Sequence, residues 1–239
     1  MKRQRIGGLA LSLVLAASSY GGPQDAGMPR TMNERKITIR IHNYAQVKPS
    51  VLLPATRAAA DILREAGVDS VWVECLAGQT ELPDAACTSP VTPLDLVLNL
   101  LPRSQAQHLH FRDKILGVAL ETTGEDFGIF ASVFYDNVKD CAAQRQLDLA
   151  QLLGHVIAHE LAHLLLGTNS HSSHGVMCAF WCGKELLAAE QRGLSFSSSE
   201  KKRLQITLTA RTLAALNGAV SPELLPIANT QTGSAAAMK

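Results

Sequence analysis

The chemistry of this chain is concentrated in His159-Glu160-Leu161-Ala162-His163. The two histidines stand four apart. On a helix, positions i and i+4 lie one above the other on the same face. Two imidazoles so placed can grip one metal ion from one side. Glu160, next to the first of them, can reach a water on that ion without being a ligand. Zinc suits the set, because it takes histidine nitrogen and a catalytic site keeps one position open for water. Gly167, His171 and His174 follow soon after.

A motif this short depends on its surroundings. Residues 151–158 lead in with an apolar run, and Leu161, Leu164 and Leu165 continue it. The pattern predicts a buried helix over 147–166. Gly167 is where such a helix should stop, because glycine readily takes the left-handed conformation past a helix end. The competing reading is a core helix with two incidental histidines. Against it, ionisable residues seldom sit in a helix this apolar without a partner. His155 lies one turn before His159 on the same face. A ligand set of 155, 159 and 163 would spread over about 12 Å of helix. One ion with Zn–N bonds of about 2.0–2.1 Å cannot meet all three without distortion, so His155 reads as a supporting or packing residue.

The elements that must hold this helix can be read in order. Residues 36–42 alternate apolar and polar, a strand pattern. Pro49 opens a helix that runs to about 64 and stops at Gly67. Strands follow at 70–74 and 94–101, the latter ended by Pro102. Residues 103–114 are polar. Their His108 and His110 could bind metal if they lay on a strand, but a solvated loop is the plainer reading. Residues 115–120 and 128–135 read as a hairpin turned at 122–126. The active helix comes next, then a loop through Met177. Ser197-Ser198-Ser199-Glu200 has the form of a capping box and opens a last helix to about 216. The order is β-α-β-β-β-β-α, loop, α. This predicts an α/β (α+β) fold with a mixed sheet. The β-α-β start argues for parallel strands and the hairpin adds an antiparallel one.

Length and composition set the frame. A chain of 239 residues, 46% hydrophobic and 18% charged, is an ordinary globular protein of one good-sized domain or two small ones. Its 22 basic and 21 acidic residues leave a net charge of +1, no footprint for nucleic acid. Lys2, Arg3 and Arg5, an apolar stretch over 6–17 and the small residues through Ser19 read as a signal peptide, 1–19. The apolar stretch is short for a bilayer span, although an uncleaved anchor is the alternative. The prediction is an exported protein, secreted or held in the periplasm or cell envelope, with no stable membrane span after cleavage. Residues 20–35 read as a flexible lead-in, 36–216 as the catalytic domain and 217–239 as a disordered tail rich in Ala, Ser and Thr.

The five cysteines, Cys75, Cys87, Cys141, Cys178 and Cys182, fit export to an oxidising compartment. Cys75–Cys87 is the first pairing expected, closing a loop between two strands. Cys178 and Cys182 could pair with each other, or one of them with Cys141. With no C-x-x-C pair, a second metal site is the weaker reading.

The region 155–181 resembles the metzincin clan of zinc metalloproteases, whose pattern is H-E-x-x-H-x-x-G-x-x-H followed by a methionine turn. The resemblance extends in element order over about 36–216. It implies one catalytic Zn2+, with His159 and His163 as the first two ligands, Glu160 as general base and Met177 in Gly175-Val176-Met177 as the supporting Met-turn residue. The match is not strict. Gly167 comes one residue late, the third histidine at least two late, and no Tyr follows Met177. The segment is similar to secreted bacterial-type proteases with H-E-x-x-H-L-L-L-G-x-x-x-H-S-x-x-G-[IV]-M. On that pattern His171, not His174, is the third metal ligand. The clan also implies a twisted five-stranded sheet above the active helix. Its edge strand, here 115–120 with Gly117, Val118 and Ala119, would pair with an extended polypeptide substrate through main-chain hydrogen bonds.

The function expected is therefore a secreted zinc metallopeptidase, an endopeptidase, using metal-activated water with Glu160 as base. Two rivals remain at this point. One is an exported protein with a structural, non-catalytic zinc. Glu160 argues against it, since a structural site needs no base. The other is an envelope hydrolase of non-peptide amides, which the edge strand disfavours weakly.

Overall fold

Ile37, Ile39 and Ile41 face one side of the first strand and are buried, as the pleat's period of two requires. That strand, β1, is Lys36–Asn43. The computed structural model describes residues 36–75, 85–108, 115–120, 127–167, 170–181, 183–191, 193–217 and 235–238. All belong to one unit, Arg35–Lys239. The expected signal peptide and lead-in, His110 and the 122–126 turn lie outside the described residues.

After β1 come α1 (Pro49–Glu65), β2 (Asp69–Glu74), a short α2 (Ala85–Thr88), β3 (Asp95–Leu101), α3 (Arg103–His108), β4 (Gly117–Leu120) and β5 (Phe130–Phe134). Then come α4 (Tyr135–Arg145), α5 (Leu149–Leu166), α6 (Gly183–Glu190), α7 (Ser198–Leu216) and β6 (Ala235–Met238). Pro49 sits in the first turn of α1, where its missing N–H costs nothing. Gly67, at φ 77°, turns the chain back toward β2.

Among the described residues the sheet has six strands in the order β2-β1-β3-β5-β4-β6. β2, β1, β3 and β5 run parallel to their neighbours. β4 is antiparallel to β5, and β6 to β4. β3 is buried at every position but Asn99, which fits its near-continuous apolar run in the middle of a covered parallel sheet. The α/β class, the mixed sheet and the hairpin are therefore as the sequence predicts.

α5 is the centre of the packing. It touches α1, α4, α6, α7, β3, β4 and β5. The helix is long and apolar enough to cross a membrane, yet 83% of its span is buried inside the fold, so its composition is that of a core helix. Asp148 caps its start, accepting a hydrogen bond from the Gln151 N–H at 2.7 Å. Gly154 lets α1 come close. A Cβ there would lie 2.7 Å from the Ala55 carbonyl oxygen and from the Ala58 Cβ.

The far end of α5 is tied down by α7. Leu164 and Leu166 lie in the last turn, where carbonyls have no intrahelical partner. Arg203 donates to Leu166 O at 2.6 Å. Arg211 donates to Leu164 O at 2.8 Å, to Gly128 O at 2.6 Å and to Pro93 O at 2.8 Å. Burial pushes the Arg211 guanidinium down to about 10, so it keeps its charge at neutral pH. α7 itself opens on the predicted capping box, with Ser197 and Glu200 each bonding the other's backbone N–H.

Several features differ from the sequence-based expectation. The fifth strand stops at Phe134, and Tyr135 opens α4, a helix not anticipated. Its apolar stripe is narrow, with Val138 and Ala142 buried beside a polar Asn137, so the 3.6-residue period is faint. α6 was not anticipated either. Arg40, on the face that alternation makes polar, is buried because the 85–95 segment covers it. It bonds Asp95 Oδ1 at 3.2 Å and Ser89 O at 2.7 Å. Cys75 and Cys87 form the expected disulfide in that region, while Cys141 and Cys178 carry free thiols and Cys182 lies outside the described residues. Finally, Ala235–Met238 forms a sixth strand inside the stretch read as a disordered tail.

Candidate functional site

α5 carries His159 and His163 one turn apart, and both are fully buried. Their Nε2 atoms lie 3.0 Å apart. At Gly167 the chain leaves the helix with φ 76°, a conformation suited to glycine. Nothing lies within 4 Å of a Cβ built there, so the backbone and not space demands glycine. Past that turn, His171 comes back under the helix end. Its Nε2 is 3.2 Å from His163 Nε2. His159, His163 and His171 form a group whose ligand atoms all lie within 4.8 Å of one another.

The outer nitrogens of the two buried rings are held. His159 Nδ1 is 2.7 Å from Val176 O. A carbonyl can only accept, so Nδ1 carries the proton and Nε2 keeps its lone pair. His163 Nδ1 is 2.6 Å from Ser170 Oγ, which can accept in the same way. Burial lowers His159 to about 4, although its bond to Val176 opposes the shift. Burial first, and then the neighbouring His159 and His171, lowers His163 to about 2. Burial lowers His171 also. At neutral pH burial favours the neutral rings, and the His159 and His171 Nε2 atoms both face His163 Nε2.

That donor set fits a metal ion. Three neutral imidazole nitrogens crowded together repel unless a cation takes their lone pairs. Tetrahedral zinc with Zn–N bonds of about 2.0–2.1 Å would put ligand nitrogens about 3.3 Å apart, close to the 3.0 and 3.2 Å seen.

Glu160 lies one residue round the helix from His159 and is fully buried. It points at β4. A Cβ on Gly117 would fall 2.5 Å from Glu160 Oε1, so the carboxylate rests against bare backbone. Gly117, Val118 and Ala119 pair with Val133, Ser132 and Ala131 of β5 on one side. On the other side they pair with Met238, Ala237 and Ala236. The strand read as the open edge is thus covered by β6.

The turn below the histidines is built by backbone bonds. Ser172 N–H donates to Met177 O at 2.8 Å, and Cys178 N–H to Gly175 O at 3.2 Å. Gly175 takes φ 78°. A Cβ there would press to 2.6 Å of Ser195 O. Met177 is fully buried in this turn, and Val176 supplies the carbonyl that orients His159.

Other candidates fall outside the group. His174 is exposed, with its Nδ1 3.0 Å from Ser173 Oγ. His155 bonds Gln151 O at 2.9 Å and meets the edge of Trp181, as suits a packing residue. His108 ends α3. Ser170, Val176 and Trp181, whose ring stands edge-on to His159, were not singled out from the sequence. For Ser170 the one available signal was its place beside His171.

No protein-family model matches the chain, and no curated protein matches it. Among solved structures it is similar to the crystal structure of archaemetzincin from Methanopyrus kandleri. The identity is 14%, the match covers 75% of this chain and 99% of that one, and the TM-score is 0.46. A likeness this slight sets neither family nor function.

Proposed function

We propose that the chain is a metzincin-like zinc metallopeptidase. The supporting observation is the convergence of three histidine Nε2 atoms, two with their Nδ1 atoms held, beside a buried carboxylate that rests on the β4 backbone. His159, His163 and His171 would hold the ion. When bound, zinc supplies Lewis acidity and lowers the pKa of water toward about 7. Glu160 takes a proton from the attacking water and delivers it to the departing amine. The outward N–H and C=O groups of β4 would align an extended peptide across Glu160. Such pairing reads main chain rather than side chains, which favours internal bonds of unfolded segments and hence endopeptidase action. Met177 supports the floor of the site by packing. Its thioether is soft and suits Cu(I) better than zinc. Export through residues 1–19 is part of the same proposal, supported by the basic, apolar and small-residue pattern there and by the Cys75–Cys87 disulfide.

The test is zinc content together with digestion of unstructured casein, before and after chelation and with zinc restored. One zinc per chain and chelator-sensitive, zinc-restored cleavage are expected. Cleavage that persists undiminished in metal-free protein would refute the proposal.

A further inference from the structure

β4 has two edges, and only one is needed to attach it to the sheet. β5 takes that one. The other faces the place where a peptide would lie, and it is paired along its whole length: Leu120 with Ala235, Ala119 with Ala236, Val118 with Ala237 and Gly117 with Met238. We propose that the β4 edge is a docking surface for an extended peptide and that the chain's own 235–238 segment occupies it at rest, blocking substrate. The blocking consequence rests on the metallopeptidase reading. The occupancy does not.

Three observations carry this. First, the segment is antiparallel to β4 and in continuous register over four residues, the manner in which a strand is added to an edge. Second, the register is the one that matters for chemistry. Met238 stands opposite Gly117, and Gly117 is the residue whose backbone lies against Glu160. A strand in this position therefore runs beside the residue that covers the carboxylate. Third, the segment is Ala235-Ala236-Ala237-Met238. Three alanines bring little side-chain volume and no charge, so the pairing depends on main-chain bonds, as it would for a substrate. An edge accepts one strand at a time, because each outward N–H and C=O serves one partner. Substrate and segment must compete.

The segment is joined to α7 through residues 218–234, so its local concentration is set by the chain. Two binding elements joined in one chain reach effective concentrations of about millimolar. If the free peptide binds with a dissociation constant of about 0.1 mM, attachment holds the edge closed about ten times as often as open. The block is then real but yields to a substrate that pairs over more residues.

The experiment compares the full chain with a chain lacking 235–239 and with a full-length Ala236→Pro, Ala237→Pro variant. Neighbouring residues of a strand direct their N–H groups to opposite sides, so one of the two prolines removes a donor to β4 whatever the phase. Three quantities are read: exchange of the β4 amides, binding of a labelled Ala-Ala-Ala-Met-Lys peptide by anisotropy, and casein turnover of the zinc-loaded proteins. Both altered chains should show faster exchange of the outward β4 amides and about tenfold higher turnover. The labelled peptide should bind the shortened chain about tenfold more tightly than the full one. Equal exchange and equal peptide binding in all three proteins would overturn the occupancy. Measurable turnover that is equal in all three would overturn the block. If the edge opens and the peptide binds but no zinc-loaded protein cleaves casein, the occupancy stands and the peptidase reading falls.

Discussion

The Val176 carbonyl sets the tautomer of His159 and the Ser170 hydroxyl holds His163 Nδ1, so that both Nε2 atoms face inward. Removing such a partner from a ligand histidine costs about 10–100-fold in metal affinity. Ser170→Ala is expected to fall in that range in a zinc competition titration, while His174→Ala, on an exposed residue, leaves affinity unchanged. An unchanged affinity in Ser170→Ala would mean that the hydroxyl does not orient the ring. Titration follows from burial. An unfolded histidine protonates near 6.5, the folded His159 near 4. As pH falls below about 6.5 the unfolded chain therefore takes up protons that the folded one refuses, and stability is lost down to about pH 4. The urea midpoint of metal-free protein should decline across that window, and a flat midpoint would contradict the burial argument. At this scale the sequence shows His159, Glu160 and His163 clearly, because a spacing of four has one meaning on a helix. His171 came forward through the family resemblance. The Val176 carbonyl was illegible, since every residue has one and only folding chooses among them.

β4 and α5 meet at Gly117 and Glu160, and the glycine is the tolerance of that contact. Gly117→Ala should push the carboxylate aside without touching a histidine. A displacement of about 1 Å in a reacting group can cost about a hundredfold in rate. The variant is expected to bind zinc normally and lose turnover on that order. Retained turnover would mean that Glu160 has room to move. The long elements were legible where period and punctuation agree: β1 by its alternation, α1 by Pro49 and Gly67, α5 by its apolar run, α7 by its capping box. α4 escaped because its buried stripe holds only two apolar residues, and β6 because an alanine run carries neither period. Tertiary pairing makes a strand there, and local preference does not foretell it.

Arg211 joins three parts of the molecule: the carbonyls of Pro93 before β3, Gly128 before β5 and Leu164 at the end of α5. It is fully buried and sits 4.8 Å over the Phe127 ring. Arg211→Met would keep volume and leave three carbonyl oxygens in a dry interior without that donor. Leaving a buried acceptor unsatisfied costs about 1–3 kcal/mol, so the loss over three carbonyls should be several kcal/mol, to be read as a lowered urea midpoint. A loss under about 1 kcal/mol would show that water or other donors replace the guanidinium. None of this was visible beforehand. An arginine on a helix with a polar pattern reads as a surface residue until the segments it bridges are known to converge.

In the proposed function Glu160 is the base of a metal-dependent hydrolase and not a ligand. Glu160→Gln keeps shape and removes basicity. Zinc content and casein cleavage should be measured on the same preparations of both proteins. The prediction is one zinc per chain in each, with cleavage in the variant down about a hundred- to ten-thousandfold. Equal cleavage at equal zinc content would contradict it.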